Sequence, residues 1–135
     1  MDPSGVESGT VNFSPTKGNP GSRYYKARQF FRWVIQPTGE ADEPEIIYHE
    51  KVFVRGKGTA VLFGLMGQLV EVAGDYNIPL VAVPATKIKK FATGYGKANK
   101  KMMIQAAKKF GYYPSDDNEA DALCLLEYAI SKEKG

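Results

Sequence analysis

Lysines and carboxylates are concentrated in neighbouring parts of the C-terminal half of this chain. Between Lys87 and Lys109 there are eight lysines and no acidic residue. Four acids then follow at the start of a predicted apolar helix, at Asp116, Asp117, Glu119 and Asp121. Clustered lysines attract phosphates by counterion release, whereas clustered carboxylates repel phosphates unless a hard divalent cation lies between them. The combination predicts metal-dependent phosphodiester chemistry.

The same carboxylates also have an ordinary structural interpretation. Asp116 and Glu119 form a capping-box pattern, and acids in a first helical turn complement the helix dipole whether or not a metal binds. Asp117 and Asp121 are four residues apart and share one helix face. Glu50 ends a buried strand, where it either points out of the sheet edge or is a solvated surface residue. Spacing alone therefore leaves both a metal site and a set of structural acids open.

The segment 87–101 combines lysines, aromatic residues and glycines. Glycines let the backbone approach a phosphate closely, lysines attract it, and Tyr95 can stack on an exposed base. The alternative is a solvated lysine-rich loop, although ordinary surfaces mix charges of both signs. The glycine spacing does not match a Walker A loop. The segment therefore favours contact with nucleic acid.

The bulk properties predict one domain spanning residues 1–135. The chain is 43% hydrophobic, which allows a small core. The net charge is only +3, but a basic run that begins at Arg23 and an acidic patch that begins at Glu40 indicate a polyanionic partner. The single cysteine, Cys124, is interpreted as a small buried hydrophobe in a reducing compartment. The most apolar stretch, 60–73, is too short to cross a bilayer, and no signal-peptide pattern is seen, so we expect a soluble intracellular protein.

Hydrophobic periodicity predicts alternating strands and helices. The predicted helices are 23–35, 58–73, 100–110 and 117–130, and the predicted strands are 7–13, 45–54 and 78–83. Helix 58–73 is apolar nearly all round, which indicates a central helix or an interface helix. The alternation is typical of an α/β domain.

Six segments have an order and spacing that occur together in one nuclease family. They are YHEKV at 48–52, GLMGQL at 64–69, IP and VP at 78–79 and 83–84, IKKFATGYGKANK at 88–100, and DNEADAL at 117–123. Across residues 6–130 they resemble the RuvC-type Holliday junction resolvases, especially the compact RuvC-like endonucleases of phages. The lysine–threonine–glycine–glycine–lysine segment and the final aspartate–alanine–leucine are the most specific parts.

The resemblance implies an α/β fold of RNase H-like (RuvC-type) architecture, a mixed sheet flanked by helices. In the family, a long strand carrying an aspartate and then a hairpin precede the segment that looks like 6–13. Only Met1–Gly5 precede it in this sequence, so the first strand is expected to be truncated. Asp2 then either takes the family's aspartate role from a shortened strand, or that ligand is missing.

The resemblance also implies site residues, cofactors and partners. Two divalent cations per active site, Mg²⁺ or Mn²⁺, would be held by Asp2, Glu50, Asp121 and either Asp117 or the position of Asn118. Lys89 and Lys100 look like the family's phosphate-contacting lysines. Further DNA contacts are expected from Arg23, Lys26, Lys57, Lys87, Lys90, Tyr95, Lys97 and Lys101. A homodimer is expected to form through helix 58–73.

The implied function is a structure-selective endonuclease that resolves Holliday junctions or other branched DNA by two-metal-ion hydrolysis, in the cytoplasm of a bacterium or a phage-infected cell. Two alternatives remain open. One is an RNase H-like dimer that binds branched DNA without cutting it, and the other is a basic RNA-binding domain whose acids only cap helices.

Overall fold

The computed structural model describes residues 6–35, 44–54 and 56–135, which contain five helices and two strands. In chain order these are α1 (Ser22–Ile35), β1 (Ile47–Glu50), α2 (Thr59–Asp75), β2 (Leu80–Val83), α3 (Ala85–Thr93), α4 (Lys100–Lys109) and α5 (Asp117–Lys134). The strands pair in parallel, because Ile47 N donates to Pro79 O at 3.0 Å and Lys51 N donates to Val83 O at 2.9 Å. The element pattern is that of an α/β protein.

Most of the predicted elements are confirmed, and one is wrong. The helices predicted at 23–35, 58–73, 100–110 and 117–130 correspond to α1, α2, α4 and α5, and two predicted strands appear in shortened form as β1 and β2. The strand predicted at 7–13 is absent, since residues 6–15 contain no strand. Side chains 7–12 are all exposed, so the alternating pattern has no buried sheet face that would fix it.

The lysine-rich segment is helical in its first part, which corrects its interpretation as a loop. Residues Ala85–Thr93 form α3, whose lysines and alanines favour helix. The helix begins after Pro84 and ends at Gly94, which has φ of +82° and donates its N–H to Lys90 O at 2.8 Å. Glycine adopts this left-handed conformation readily. Only residues 94–99 connect α3 to α4.

The described residues fall into two compact units. The first unit consists of those within Met1–Val11, Tyr48–Lys51 and Ala82–Gly135, and the second of those within Asn12–Ile47 and Val52–Val81. The prediction of a single domain spanning 1–135 stays a prediction. Within the described ranges, none of the helices is both long and apolar enough to cross a membrane.

The second unit is built on the packing of α1 against α2. Its buried cluster contains Ile35, Val72, Ala73 and Ile78, with Phe31, Ile47, Leu69, Tyr76 and Leu80 packed against it. Arg32 of α1 forms an ion pair with Asp75 at 3.1 Å. Gly64 permits a close approach, since a Cβ added there would lie 2.8 Å from Tyr24 Cζ. A helix interior normally disfavours glycine, so the contact with Tyr24 explains its presence.

Replacing Gly64 with valine is expected to lower the free energy of unfolding by about 1–3 kcal/mol, because the added side chain must displace the Tyr24 ring. Chemical denaturation followed by circular dichroism measures the change. Gly74→Val is the control on the same helix, because nothing lies within 4 Å of a Cβ added at Gly74. An equal loss of stability in both variants would contradict the steric explanation.

Helix α2 presents apolar side chains on two faces. Val72 and Ala73 are buried in the core of the second unit, whereas Phe63 and Val70 are 48% and 50% exposed. Phe63, Gly67 and Val70 recur at helical spacing and form one exposed row, the α2 stripe. Helix α2 is apolar nearly all round because one face is buried in the core and another apolar face is exposed.

Candidate active site

The first unit contains a cleft that brings β1, α3 and α5 together. The cleft has a volume of about 210 Å³ and is lined by Glu50, Ile88, Asn118, Asp121, Ala122 and Leu125. Its four α5 residues have the spacing of a single helix face. Glu50 and Asp121, which are distant in sequence, therefore meet in one cleft, as the resemblance implied.

Two of the four acids at the start of α5 have structural roles. Asp116 is the N-cap of α5, and its carboxylate accepts the N–H of Glu119 at 2.7 Å. Glu119 in turn accepts the N–H of Ser115 at 3.1 Å and is buried. Thr10 Oγ1 also donates to Asp116 Oδ2 at 3.0 Å. The capping interpretation is therefore confirmed for Asp116 and Glu119, and it leaves Asp117 and Asp121 unexplained.

Asp121 has a perturbed acidity that reflects its neighbours. Its pKa is raised to about 6, first by partial burial and then by repulsion from Glu50 and Asp117. The positive charges of Lys89 and Lys100 lower the pKa of the Asp121 carboxylate and so partly offset these effects. Burial and like charges both disfavour the ionised form. Asp121 is thus the group on which the electrostatic effects of the predicted carboxylates and lysines converge, and near neutral pH it carries a charge that costs stability.

Asp121→Asn is expected to raise the melting temperature by a few degrees in a chelator at pH 7 to 8, because asparagine removes a repelled, partly desolvated charge. The folded-state pKa lies above the ordinary value of 3.8, so the wild type gains stability as the pH falls from about 6 to about 4. The difference between the two proteins should therefore shrink over that window. Differential scanning calorimetry measures both effects.

Glu45→Gln removes an exposed carboxylate and serves as the control, with no change in melting temperature expected. A lower melting temperature for Asp121→Asn at pH 8 would show that the carboxylate makes favourable contacts in the absence of a cation. That result would contradict the account of repulsion within the cleft.

Asp117 and Asn118 occupy different positions at the start of α5. Asp117 pairs with Lys100, with 3.8 Å between Oδ2 and Nζ, and it is not among the residues that line the cleft. Asn118 does line the cleft, and it precedes Asp121 by three residues. An asparagine side chain offers a neutral oxygen that hard cations accept as a ligand. Of the two candidates for the fourth ligand position, Asn118 lines the cleft and Asp117 does not.

The predicted phosphate-contacting lysines lie on α3 and at the start of α4. Thr93 Oγ1 donates to Lys89 O at 2.8 Å and accepts Tyr95 N–H at 3.0 Å, which orders the turn after α3. Asn99 caps α4 by accepting the N–H of Met102 at 2.9 Å. These local bonds fix the point at which Lys100 leaves the turn and enters α4. The side chain of Lys100 is 83% exposed, which leaves it accessible to an anion.

The other predicted DNA-binding residues are divided between the two units. Lys87, Lys90, Tyr95, Lys97 and Lys101 are exposed residues of the first unit. Arg23, Lys26 and Lys57 belong to the second unit, and Lys26 Nζ donates to Ser14 O at 2.9 Å. Two of the predicted DNA-contacting lysines, Lys89 and Lys100, act electrostatically on Asp121 in the first unit.

The predicted metal-ligand set is only partly assembled in the described part of the chain. Asp2 lies outside the described residues. Across 6–35, 44–54 and 56–135, no three histidine, cysteine, aspartate or glutamate side chains come close enough together to hold a metal ion. The proximity of Glu50 and Asp121 is therefore the observed core of the site, and the full four-ligand set stays a prediction.

Cys124 lies on α5 and is fully buried. Its Sγ contacts Met103 O at 3.8 Å. Burial, with smaller effects from Asp121 and Glu127, raises the pKa of the thiol to about 11. Because the thiolate is the nucleophilic form, this cysteine is inert at neutral pH, and its interpretation as a small buried hydrophobe is confirmed.

Sequence comparison relates the chain to curated proteins of known type. It is 26% identical to the crossover junction endodeoxyribonuclease RuvC of Synechococcus sp. (strain CC9311) over 124 residues, covering 89% of this chain and 74% of the relative. It is 28% identical to the protein of the same name from Synechococcus sp. (strain WH7803) over 113 residues, covering 80% and 71%. No family model matches the chain.

Solved structures give the fold. Thermus thermophilus RuvC aligns with a TM-score of 0.68 and 17% identity, covering 88% of this chain and 75% of that one. The structure described as T. thermophilus RuvC in complex with Holliday junction substrate aligns with a TM-score of 0.68 and 19% identity, covering 83% and 68%. The predicted RNase H-like, RuvC-type fold is therefore confirmed. The sheet in the described residues has two parallel strands, and the mixed sheet stays a prediction.

Proposed function

Because both sequence and fold relate this chain to RuvC-type Holliday junction resolvases, we propose that it is a structure-selective endonuclease that cuts four-way junctions or other branched DNA. The proposal rests on one cluster of side chains. Glu50 and Asp121 line the same cleft, and Lys89 and Lys100 both lower the pKa of the Asp121 carboxylate. Carboxylates alone would repel a phosphodiester. Carboxylates with nearby lysines can hold a cation and a phosphate together.

The side chains of Glu50, Asp121 and Asn118 in the cleft offer the oxygen ligands that a divalent cation needs. Carboxylate oxygens are the ligands that Mg²⁺ and Mn²⁺ prefer, and a cation between Glu50 and Asp121 would relieve the repulsion that raises the pKa of Asp121. Asn118 would add a neutral oxygen, and Asp117 would add a third carboxylate if it left Lys100. We propose two cations per site, which would activate a water and stabilise the leaving oxygen.

The protein's own groups would bind and orient the scissile strand. Lys89 and Lys100 would attract the phosphate and offset the negative charge that develops on it during hydrolysis. The ion pair with Asp117 would hold Lys100 near the start of α5. Ile88 and Leu125 provide apolar walls in the cleft, and less water beside a charge strengthens its interactions.

A wider basic surface of the first unit would hold the DNA. Lys87, Lys90, Lys97 and Lys101 are exposed, and each phosphate contact would release counterions and make the affinity dependent on salt. Tyr95 is 53% exposed, which leaves its ring free to stack on an unpaired base at a branch point. Stacking on an unpaired base would favour branched DNA over a fully paired duplex, and neither the stacking nor the phosphate contacts depend on the base sequence.

A homodimer formed through the α2 stripe would suit this substrate. Phe63 and Val70 expose apolar surface, and Gly67 between them allows another helix to approach closely. A two-fold interface uses the same patch on both protomers. It would place two active sites in symmetric positions, as needed for paired nicks in a four-way junction. We place the activity in the cytoplasm of a bacterial or phage-infected cell, where such DNA intermediates arise.

An end-labelled synthetic four-way junction tests the proposal. With Mg²⁺, the protein should release paired nicked products, whereas a linear duplex of the same arm sequence should remain intact. With a chelator, the junction should be bound but not cut. Junction binding without nicks in either Mg²⁺ or Mn²⁺ would contradict the nuclease proposal and leave a DNA-binding protein.

A further inference from the structure

Four aromatic side chains form a continuous chain within the first unit. Tyr48 meets Tyr128 edge to face, with ring centroids 6.3 Å apart. Tyr128 meets Phe91 in the same way at 5.5 Å, and Phe91 stacks on Phe110 at 6.1 Å with 11° between the ring planes. We call this set of four rings the aromatic chain.

The four rings belong to, or directly follow, the elements that carry Glu50, Asp121, Lys89 and Lys100. Tyr48 belongs to β1, which carries Glu50, and Tyr128 belongs to α5, which carries Asp121. Phe91 belongs to α3, the helix of Lys89, and Phe110 follows the last residue of α4, the helix that begins at Lys100. None of the four rings lines the cleft.

Tyr48, at the β1 end of the aromatic chain, also forms a hydrogen bond. The Tyr48 hydroxyl donates to Glu133 Oε2, so the strand residue is held both through its ring and through its hydroxyl by the C-terminal part of α5. Lys132 lies 5.4 Å from the centre of the Tyr128 ring and adds a cation–π contact in the same region. Edge-to-face aromatic pairs have a preferred geometry, which makes them more directional than aliphatic contacts.

The strand period explains why this attachment matters to the cleft. Tyr48 and Glu50 are two residues apart in β1, so their side chains leave the strand on the same face. That face meets α5 twice, with Tyr48 against Tyr128 and Glu133, and with Glu50 near Asp121. The contact of Tyr48 with α5 therefore lies on the same strand face as the contact between the two carboxylates.

From this arrangement, and on the basis of the function proposed above, we propose that Tyr48, through its bond to Glu133 and the aromatic chain, is a positioning residue that fixes the separation of Glu50 and Asp121 for cation binding. Metal sites need ligands placed to within about 0.5 Å, and losing a group that orients a ligand typically costs about 10–100-fold in metal affinity. Tyr48 touches neither the cation nor the DNA in this role.

The test compares Tyr48→Phe with wild type by titration of Mn²⁺ and by junction cleavage. Phenylalanine keeps the ring and loses the hydrogen bond, so we expect about tenfold weaker Mn²⁺ binding, a lower kcat and an unchanged KM for the junction. Glu133→Ala should match Tyr48→Phe, and combining the two substitutions should add little, because they remove one bond. Glu133→Gln should restore Mn²⁺ affinity, because its amide oxygen can accept the same hydrogen bond.

Tyr25→Phe is the control, since the Tyr25 hydroxyl accepts a hydrogen bond from Gln29 on the exposed side of α1. It should leave Mn²⁺ affinity unchanged. Wild-type Mn²⁺ affinity in Tyr48→Phe, or a fall in melting temperature alone, would overturn the positioning role, as would an equal loss in Glu133→Gln. If the wild type bound Mn²⁺ without cutting DNA, the nuclease proposal would fail, and the Mn²⁺ titrations would still decide the role of Tyr48.

Discussion

Asp121→Asn is expected to reduce Mg²⁺-dependent nicking of a four-way junction by about 10³-fold, while the affinity for the junction in a chelator stays within about twofold. The asparagine keeps the size of the side chain but removes the carboxylate that faces Glu50 in the cleft. A cation would lose a charged ligand at the point where it must meet a phosphate. Single-turnover cleavage and gel-shift titrations measure the two quantities separately.

Glu50→Gln should behave in the same way, because the two carboxylates share the cleft. Asp117→Asn should cause a smaller loss, since Asp117 pairs with Lys100 and does not line the cleft. Glu45→Gln, which changes an exposed acid, should cut at the wild-type rate. Full activity in both Asp121→Asn and Glu50→Gln would rule out this cleft as the catalytic site.

Phe63→Glu is expected to convert the proposed dimer into a monomer. On a two-fold axis one substitution places two buried glutamates in the interface, and we expect the dimer dissociation constant to rise by about 10²-fold or more. Light scattering after gel filtration should show the mass fall from about twice 14.9 kDa to 14.9 kDa. Paired nicking of one junction should be lost along with the dimer.

Val34→Glu provides the matched control for that substitution. Val34 lies on α1 of the same unit and is 52% exposed, close to the exposure of Phe63, but it is not part of the α2 stripe. We expect this variant to keep the wild-type mass. A wild-type mass in Phe63→Glu would show that the stripe is not the dimer interface, and a monomeric mass in the wild type would show that no stable dimer forms.

The sequence predicted the helices more reliably than the boundaries of the lysine-rich region. Helices α1, α2, α4 and α5 bury residues at helical spacing, and that pattern is visible in one dimension. Helix α3 was missed because it has only nine residues and lies between a proline and a glycine, which are typical of turns and loops. The strand predicted at 7–13 was wrong because alternation indicates a strand only where another strand pairs with it.

The candidate site was predictable only in part from the residues themselves. The spacing of Asp117 and Asp121 placed both on one helix face, but nothing in the spacing showed that Glu50 would reach the same cleft. That expectation came from the resemblance to a family. The choice between Asp117 and Asn118 depends on side-chain direction, which Lys100 influences through its ion pair. The Tyr48–Glu133 bond was not predicted, although Tyr48 and Glu50 share a strand face.

The buried thiol of Cys124 has a practical consequence for following this protein in solution. It is the single cysteine of the chain, it is fully buried, and its pKa of about 11 leaves almost no thiolate at neutral pH. A cysteine introduced on the surface would therefore react with maleimide dyes far faster than the native one. Fluorescent or spin labels can thus be attached at chosen positions without first removing Cys124.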